Sequence, residues 1–169
     1  MNVKELVKRS DNGENFDYHY FWGGFCSQWA DSQFVLGGIT YQTCEQYMMA
    51  EKARLFDDGI ALTSILESND PRENKAVGRQ IKNFDFEQWD EVKYQIVVRG
   101  NMAKFRQNPD LLRLLLKTGD KILVEASAFD KVWGIGMDEG NPEIGDPTNW
   151  NGQNLLGFAI MDVRDVLAG

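Results

Sequence analysis

The sequence predicts a mainly α (α+β) architecture: a compact helical domain with a small β-hairpin or sheet. Three features carry that expectation. Apolar residues recur at helical spacing through the middle of the chain, as in Trp89, Val92, Ile96 and Ala103. Gly37-Gly38 stands between Phe34-Val35-Leu36 and Ile39-Thr40-Tyr41, the pattern of a two-residue hairpin. The remaining strand signals are short, such as Ile122-Leu123-Val124.

Each element has its own justification. Phe16, Tyr18, Tyr20 and Trp22 alternate with Asp17, His19 and Phe21, which predicts a short strand ended by Gly23-Gly24. After the hairpin, Thr43 and Gln46 have capping-box spacing, so a helix begins at Thr43. It closes near Asp57-Asp58-Gly59, with Gly59 as the C-cap. A short helix follows over 60–67. Asp70-Pro71 reads as N-cap and first helical residue of a helix running to about Lys82. Asp85 and Gln88 open the next, which ends near Arg106 before Asn108-Pro109. A leucine-rich helix over 111–117 is capped by Gly119, and Leu155, Leu156, Ala159, Ile160, Val163 and Leu167 mark a last helix. Between Ser127 and Gln153 periodicity dissolves into Gly, Pro, Asn and Asp, and long irregular loops inside compact domains are often functional.

Length and composition suit one domain over 16–169, preceded by a polar segment over 1–15 that lacks the apolar core of a signal peptide. No apolar run is long enough to span a bilayer, and the chain is expected to be cytoplasmic with no membrane partner. A net charge of −8 argues against a broad electrostatic grip on nucleic acid. Cys26 and Cys44 have no metal or redox spacing and are expected to be reduced thiols; no cofactor is called for. The single histidine, His19, lies among aromatics and reads as a packing residue, which leaves acid–base chemistry to Asp and Glu.

The most informative stretch runs from Thr43 to Phe56. Glu45 falls in the first helical turn, where the helix dipole favours negative charge. Lys52 lies seven residues on, nearly on the same side and about 10 Å along the axis. Met48, Met49, Ala53 and Phe56 share or flank that face. A carboxylate and an ammonium facing an apolar region are costly unless they pair, hydrogen-bond or meet a ligand.

Five segments occur in a recognisable order: Phe25-Cys26-Ser27-Gln28-Trp29, Glu45-Gln46-Tyr47-Met48-Met49-Ala50-Glu51-Lys52-Ala53, Trp89, Trp133-Gly134-Ile135-Gly136, and Gly152-Gln153-Asn154-Leu155-Leu156-Gly157. Together they resemble the NADAR (YbiA-like) family over about 20–167. The resemblance implies a helical domain that hydrolyses N-glycosidic bonds and matches Glu45, Trp89 and Asp130 to the family's active-site residues. It implies a small phosphorylated ribose or ADP-ribose conjugate as substrate, riboflavin-pathway ribosylamino intermediates included. A second implied activity is removal of ADP-ribose from modified guanine in DNA; a non-catalytic ADP-ribose or nucleotide-binding module is the alternative of another class.

Cleavage of a ribose C1′–N bond passes through a cationic sugar, and two carboxyls can divide the work. Glu45 is expected to orient or deprotonate water at C1′, and Asp130 to hold ribose hydroxyls or assist the leaving nitrogen; the roles are exchangeable. Trp89 and Trp133 offer flat rings for stacking on a base, against an alternative role in packing. Lys52 and Arg79 are the phosphate candidates, with an internal ion pair and a solvated helix face as their respective alternatives. Gly134 can bring backbone close to a phosphate or make a tight turn. Ser27 and Gln28 can line the pocket. Asn154 serves as an N-cap or contacts ribose.

Overall fold

The computed structural model describes residues 1–169 and divides the chain into two compact units, Met1–Ser27 with Arg113–Gly169, and Gln28–Leu112. Seven helices and two two-stranded sheets make up the elements, the predicted class.

In the first unit, helix α1 (Val3–Asp11) occupies the segment read from sequence as merely polar. Asn2 caps it, accepting from the Glu5 N–H at 2.9 Å, and Leu6 is its one buried residue. Strand β1 (Tyr18–Phe21) pairs in parallel with β4 (Ile122–Glu125), in the register Tyr18 with Ile122 through Phe21 with Glu125. Helix α7 (Leu155–Ala168) packs on β4. Leu123, Val124, Ile135, Phe158, Ile160 and Val163 form the core there. Gly157 is required by this packing, because a Cβ at that position would sit 2.0 Å from the Leu123 carbonyl oxygen.

Asn154 does not cap α7 as expected. It sits in the left-handed region (φ 53°) and its side chain makes no cap bond. Fully buried, it instead accepts from the Glu125 N–H at 3.0 Å and donates to the Leu123 C=O at 2.9 Å. One side-chain amide thus does for β4 what a neighbouring strand would do.

The second unit is built around helix α2 (Cys44–Leu55), against which α3 (Gly59–Glu67), α4 (Pro71–Gly78) and α5 (Phe86–Gln107) pack. Strands β2 (Phe34–Leu36) and β3 (Ile39–Tyr41) form the predicted hairpin, with Gly37 and Gly38 at φ 61° and 79°. The open edge of β2 is covered by a side chain: Gln107 accepts from the Val35 N–H and donates to the Val35 C=O, both at 2.8 Å. Gly78 and Gly100 allow close approach, since a Cβ would meet Met49 Sδ at 2.0 Å and the Tyr47 ring at 2.6 Å.

Two helix ends differ from expectation. Gly59 does not close α2; it opens α3 behind Asp58, whose carboxylate accepts from the Ala61 N–H at 3.1 Å. The other oxygen of Asp58 accepts from Lys82 N–H at 2.9 Å, and α4 stops at Gly78 rather than continuing to Lys82. Helix α6 (Pro109–Leu116) follows α5 and contains the boundary between the units, after Leu112.

Two outcomes are expected. Replacing Asn154 with Ala strands two buried backbone groups, so urea unfolding should show a loss of about 2–4 kcal/mol. His19 is half-buried on β1 with its ring 5.6 Å from Phe25; burial, then the Lys121 charge, holds its pKa below the ordinary 6.5. The unfolded chain therefore binds the proton more readily, and stability is lost as pH falls through about 6.5. An NMR titration of the imidazole should have its midpoint below that value, and His19→Gln should flatten the stability slope between pH 7 and 5.

Candidate active site

Thr43 sits in extended backbone and its hydroxyl accepts from the Gln46 N–H at 3.1 Å, so the N-cap falls where the sequence puts it. The reciprocal bond is displaced by one residue: Gln46 Oε1 accepts from the Gln42 N–H at 2.8 Å. Its amide nitrogen donates to the carbonyls of Ile65 and Ser68, which ties the start of α2 to the end of α3. Cys44, Glu45, Gln46, Tyr47, Met48, Met49 and Ala50 are all buried. Helix α2 is therefore enclosed on almost every side, not on one face.

A chain of buried polar groups holds the first turn that carries Glu45. The Glu45 N–H donates to the Gln28 C=O at 2.9 Å. Gln28 Oε1 accepts from Asn101 Nδ2 at 2.9 Å, and the same nitrogen donates to the Val97 C=O at 2.9 Å. Asn101 Oδ1 accepts from the Cys44 thiol at 3.7 Å. Burial pushes that thiol up to about 11, with Lys104 pulling down and Glu45 pushing up. Cys44 is thus a neutral donor at neutral pH, and both cysteines are free and buried. Gln28 is 7% exposed, yet its Nε2 has no acceptor in the protein. A buried donor in that position is normally satisfied by a water or a ligand oxygen.

Lys52 is half-buried. Its ammonium donates to the Gly78 C=O at 2.8 Å and lies 4.3 Å from the Phe84 ring centre and 5.7 Å from that of Trp89. Burial lowers its pKa while the charge of Glu45 raises it, so the two ends of α2 share one electrostatic environment. Trp89 lies in the first turn of α5, behind the Asp85 cap, and is 8% exposed. Lys93, one turn further along, is also buried and pairs with Asp90. Arg79 caps α4 on an exposed surface, which is the solvated alternative.

The other predicted residues belong to the first unit. Ser27 closes a short 3-10 turn, donating its N–H to the Gly24 C=O at 3.1 Å. Asp130 organises the irregular loop: its Oδ1 accepts from the N–H groups of Val132 and Trp133 at 2.9 and 2.8 Å, and its carbonyl from Gly136. Trp133 is half-buried, and its carbonyl accepts from the Leu156 N–H. At Gly134 a Cβ would lie 2.9 Å from the carbonyl oxygens of Asp130 and Glu125, so close packing of the chain on itself accounts for this glycine. Asn154 has both ends of its amide engaged by β4.

Asn101, Lys104, Lys93 and Phe84 escaped the sequence reading. Asn101 and Lys104 are completely buried on α5, at the same helical spacing as Trp89, Lys93 and Val97. A polar residue at a core-facing helical position was the available signal.

The comparisons agree with this architecture. The NADAR domain model matches residues 18–168. An N-glycosidase of Acanthamoeba polyphaga mimivirus is 44% identical over 145 residues, covering 82% of this chain and 85% of its own. The N-glycosidase YbiA of Escherichia coli is 31% identical over 145 residues, covering 86% and 82%. The NMR structure of E. coli YbiA superposes with a TM-score of 0.75 at 29% identity, over 92% of this chain and 87% of that one. No helix is long and apolar enough to cross a membrane. With its capped and buried Glu45 turn, the tryptophan of α5 and a match spanning nearly every element, the chain belongs to the NADAR domain family.

Proposed function

We propose that the chain is a hydrolase of N-glycosyl bonds, with a phosphorylated ribose or ADP-ribose joined to a nitrogenous base as its substrate. Membership of a family whose relatives are named N-glycosidases supports the reaction class. The observation that carries the site assignment is the buried polar chain that fixes Glu45 beside Gln28, whose amide nitrogen has no protein acceptor.

In this reading a water held by Glu45 attacks C1′ as the C1′–N bond breaks. The water oxygen joins C1′ while the C1′–N electron pair leaves on the nitrogen; the Glu45 carboxylate takes one water proton, and that proton is passed on to the departing nitrogen, which regenerates the carboxylate. The products are a free base and a ribose bearing a C1′ hydroxyl. Enclosure of Glu45 strengthens its interaction with the cationic sugar that develops on the way. Gln28 Nε2 donates to a sugar oxygen. Trp89 offers an indole face for the base. Lys52, already a donor to Gly78, supplies positive charge for a phosphate. The family resemblance supplies Asp130 as the second carboxyl, for ribose hydroxyls or the leaving nitrogen; within the first unit its Oδ1 accepts from the Val132 and Trp133 amides.

The test is direct. The protein and a Glu45→Gln variant are incubated with a ribosylamino-pyrimidine phosphate, NAD, and ADP-ribosylated guanine as the nucleoside and in single-stranded DNA; products are separated by mass. Release of a free base with the matching ribose fragment, lost in the variant while its circular dichroism is unchanged, is the expected result. Retained turnover would remove Glu45 from the mechanism. Asn101→Ala should lower kcat about ten- to a hundredfold with a small change in KM, because it loosens the turn holding Glu45 rather than a substrate contact. An equal rise in KM instead would trace the effect to Gln28, whose side-chain amide Asn101 holds, rather than to the Glu45 turn.

A further inference from the structure

A concavity lies in the second unit, bounded by the hairpin, α2 and α5. Its volume is about 390 Å³, within the range of about 300–1,000 Å³ typical of small-ligand sites. Ile39, Tyr41, Tyr47, Glu51, Arg54 and Arg99 contribute its character. None of them belongs to the Glu45 site, and no role above uses the space.

Its lining is of two kinds. One part is apolar and rigid. Tyr41 and Tyr47 are both at most 3% exposed and meet edge to face, with ring centres 5.1 Å apart. Tyr47 is pressed against Gly100, where any side chain would collide with its ring. Burial pushes the Tyr47 phenol up to about 12, so it stays neutral and does not offset nearby positive charge.

The other part carries two guanidiniums and one carboxylate. Arg54 holds Glu51 Oε1 at 2.5 Å and is also hydrogen-bonded to Tyr41. Arg99 stands 3.9 Å from Glu51 Oε2, beyond hydrogen-bond length, and its side chain is 60% exposed. Glu51 is therefore committed chiefly to Arg54. Arg99 keeps a planar fork of N–H donors at the mouth, matched to a carboxylate or phosphate. Since the whole chain carries −8, a local surplus of positive charge over aromatic and aliphatic walls is a specific feature of this face.

We propose that this concavity is an accessory binding site for a small organic acid, with its carboxylate or phosphate on Arg99 and its apolar body along Leu36 and Ile39, the half-buried aliphatic residues of the lining. The site is separate from the one assigned to glycosidic chemistry and does not depend on that assignment. An anion here exchanges the water on an exposed guanidinium for a bidentate contact, at a small desolvation cost. Leu36 and Ile39, backed by the buried tyrosines, supply selectivity for an apolar body over a bare inorganic anion.

The test uses the whole chain, labelled with ¹⁵N and titrated separately with benzoate, phenyl phosphate, inorganic phosphate and benzyl alcohol. Saturable shifts of the Gly37, Gly38 and Ile39 amides by benzoate or phenyl phosphate are expected, and the tighter of the two identifies the head group. Arg99→Gln, an exposed substitution on α5, should weaken that binding at least fivefold. No saturable shift from either acid up to about 10 mM, ten times weaker than millimolar binding, overturns the proposal, as does undiminished binding in Arg99→Gln. Equal binding of benzyl alcohol overturns the anionic half, and equal binding of inorganic phosphate overturns the apolar half.

Discussion

The hydrogen-bonded chain from Cys44 through Asn101 and Gln28 to the Glu45 amide is the constraint on which the second unit turns. Each member is buried, so each must be paired or cost the fold a few kcal/mol. The chain links three stretches distant in sequence: the segment before the hairpin, the N-terminus of α2 and the middle of α5. It does at the front of α2 what Gln46 does at its flank, where one side chain binds the backbone of Gln42, Ile65 and Ser68. A helix start tied in this way has little freedom to move its first-turn carboxylate.

The same economy appears in the first unit. Parallel pairing of β1 with β4 leaves the other edge of β4 to be satisfied, and the Asn154 amide satisfies it. The left-handed backbone at Asn154 and the missing Cβ at Gly157 are both consequences of that close approach. Asp130 plays the corresponding part in the irregular loop, where one carboxylate oxygen gathers two amides. Gln107 repeats the device on the edge of β2. Polar side chains, not additional strands, complete the small sheets of this fold.

Local signals in the sequence were reliable where the physics was local. Gly37-Gly38 demanded positive φ and made the hairpin. Thr43, Asp70 and Asp85 each capped the helix predicted for them, because a cap bond spans only two or three residues. The failures came where a residue served two masters. Gly59 looked like a helix stop, but Asp58 was free to cap the next helix and also to take the Lys82 amide. Asn154 looked like a cap, but β4 had the stronger claim on its amide. The N-terminal segment looked featureless because α1 buries a single apolar residue, Leu6.

What the sequence determined by itself is the helical class, the hairpin, the position of Glu45 in a capped first turn and the family to which the motifs belong. All of these follow from short-range backbone preferences or from ordered motifs that a linear reading can see. Tertiary structure alone decided which polar residues are buried together: Asn101 with Gln28 and Cys44, Lys52 with Gly78, Phe84 and Trp89, and Arg99 at the mouth of a cavity. Those partnerships join residues from 26 to 73 positions apart. Their cost and reward arise only when folding removes water from both members, and no local pattern records that.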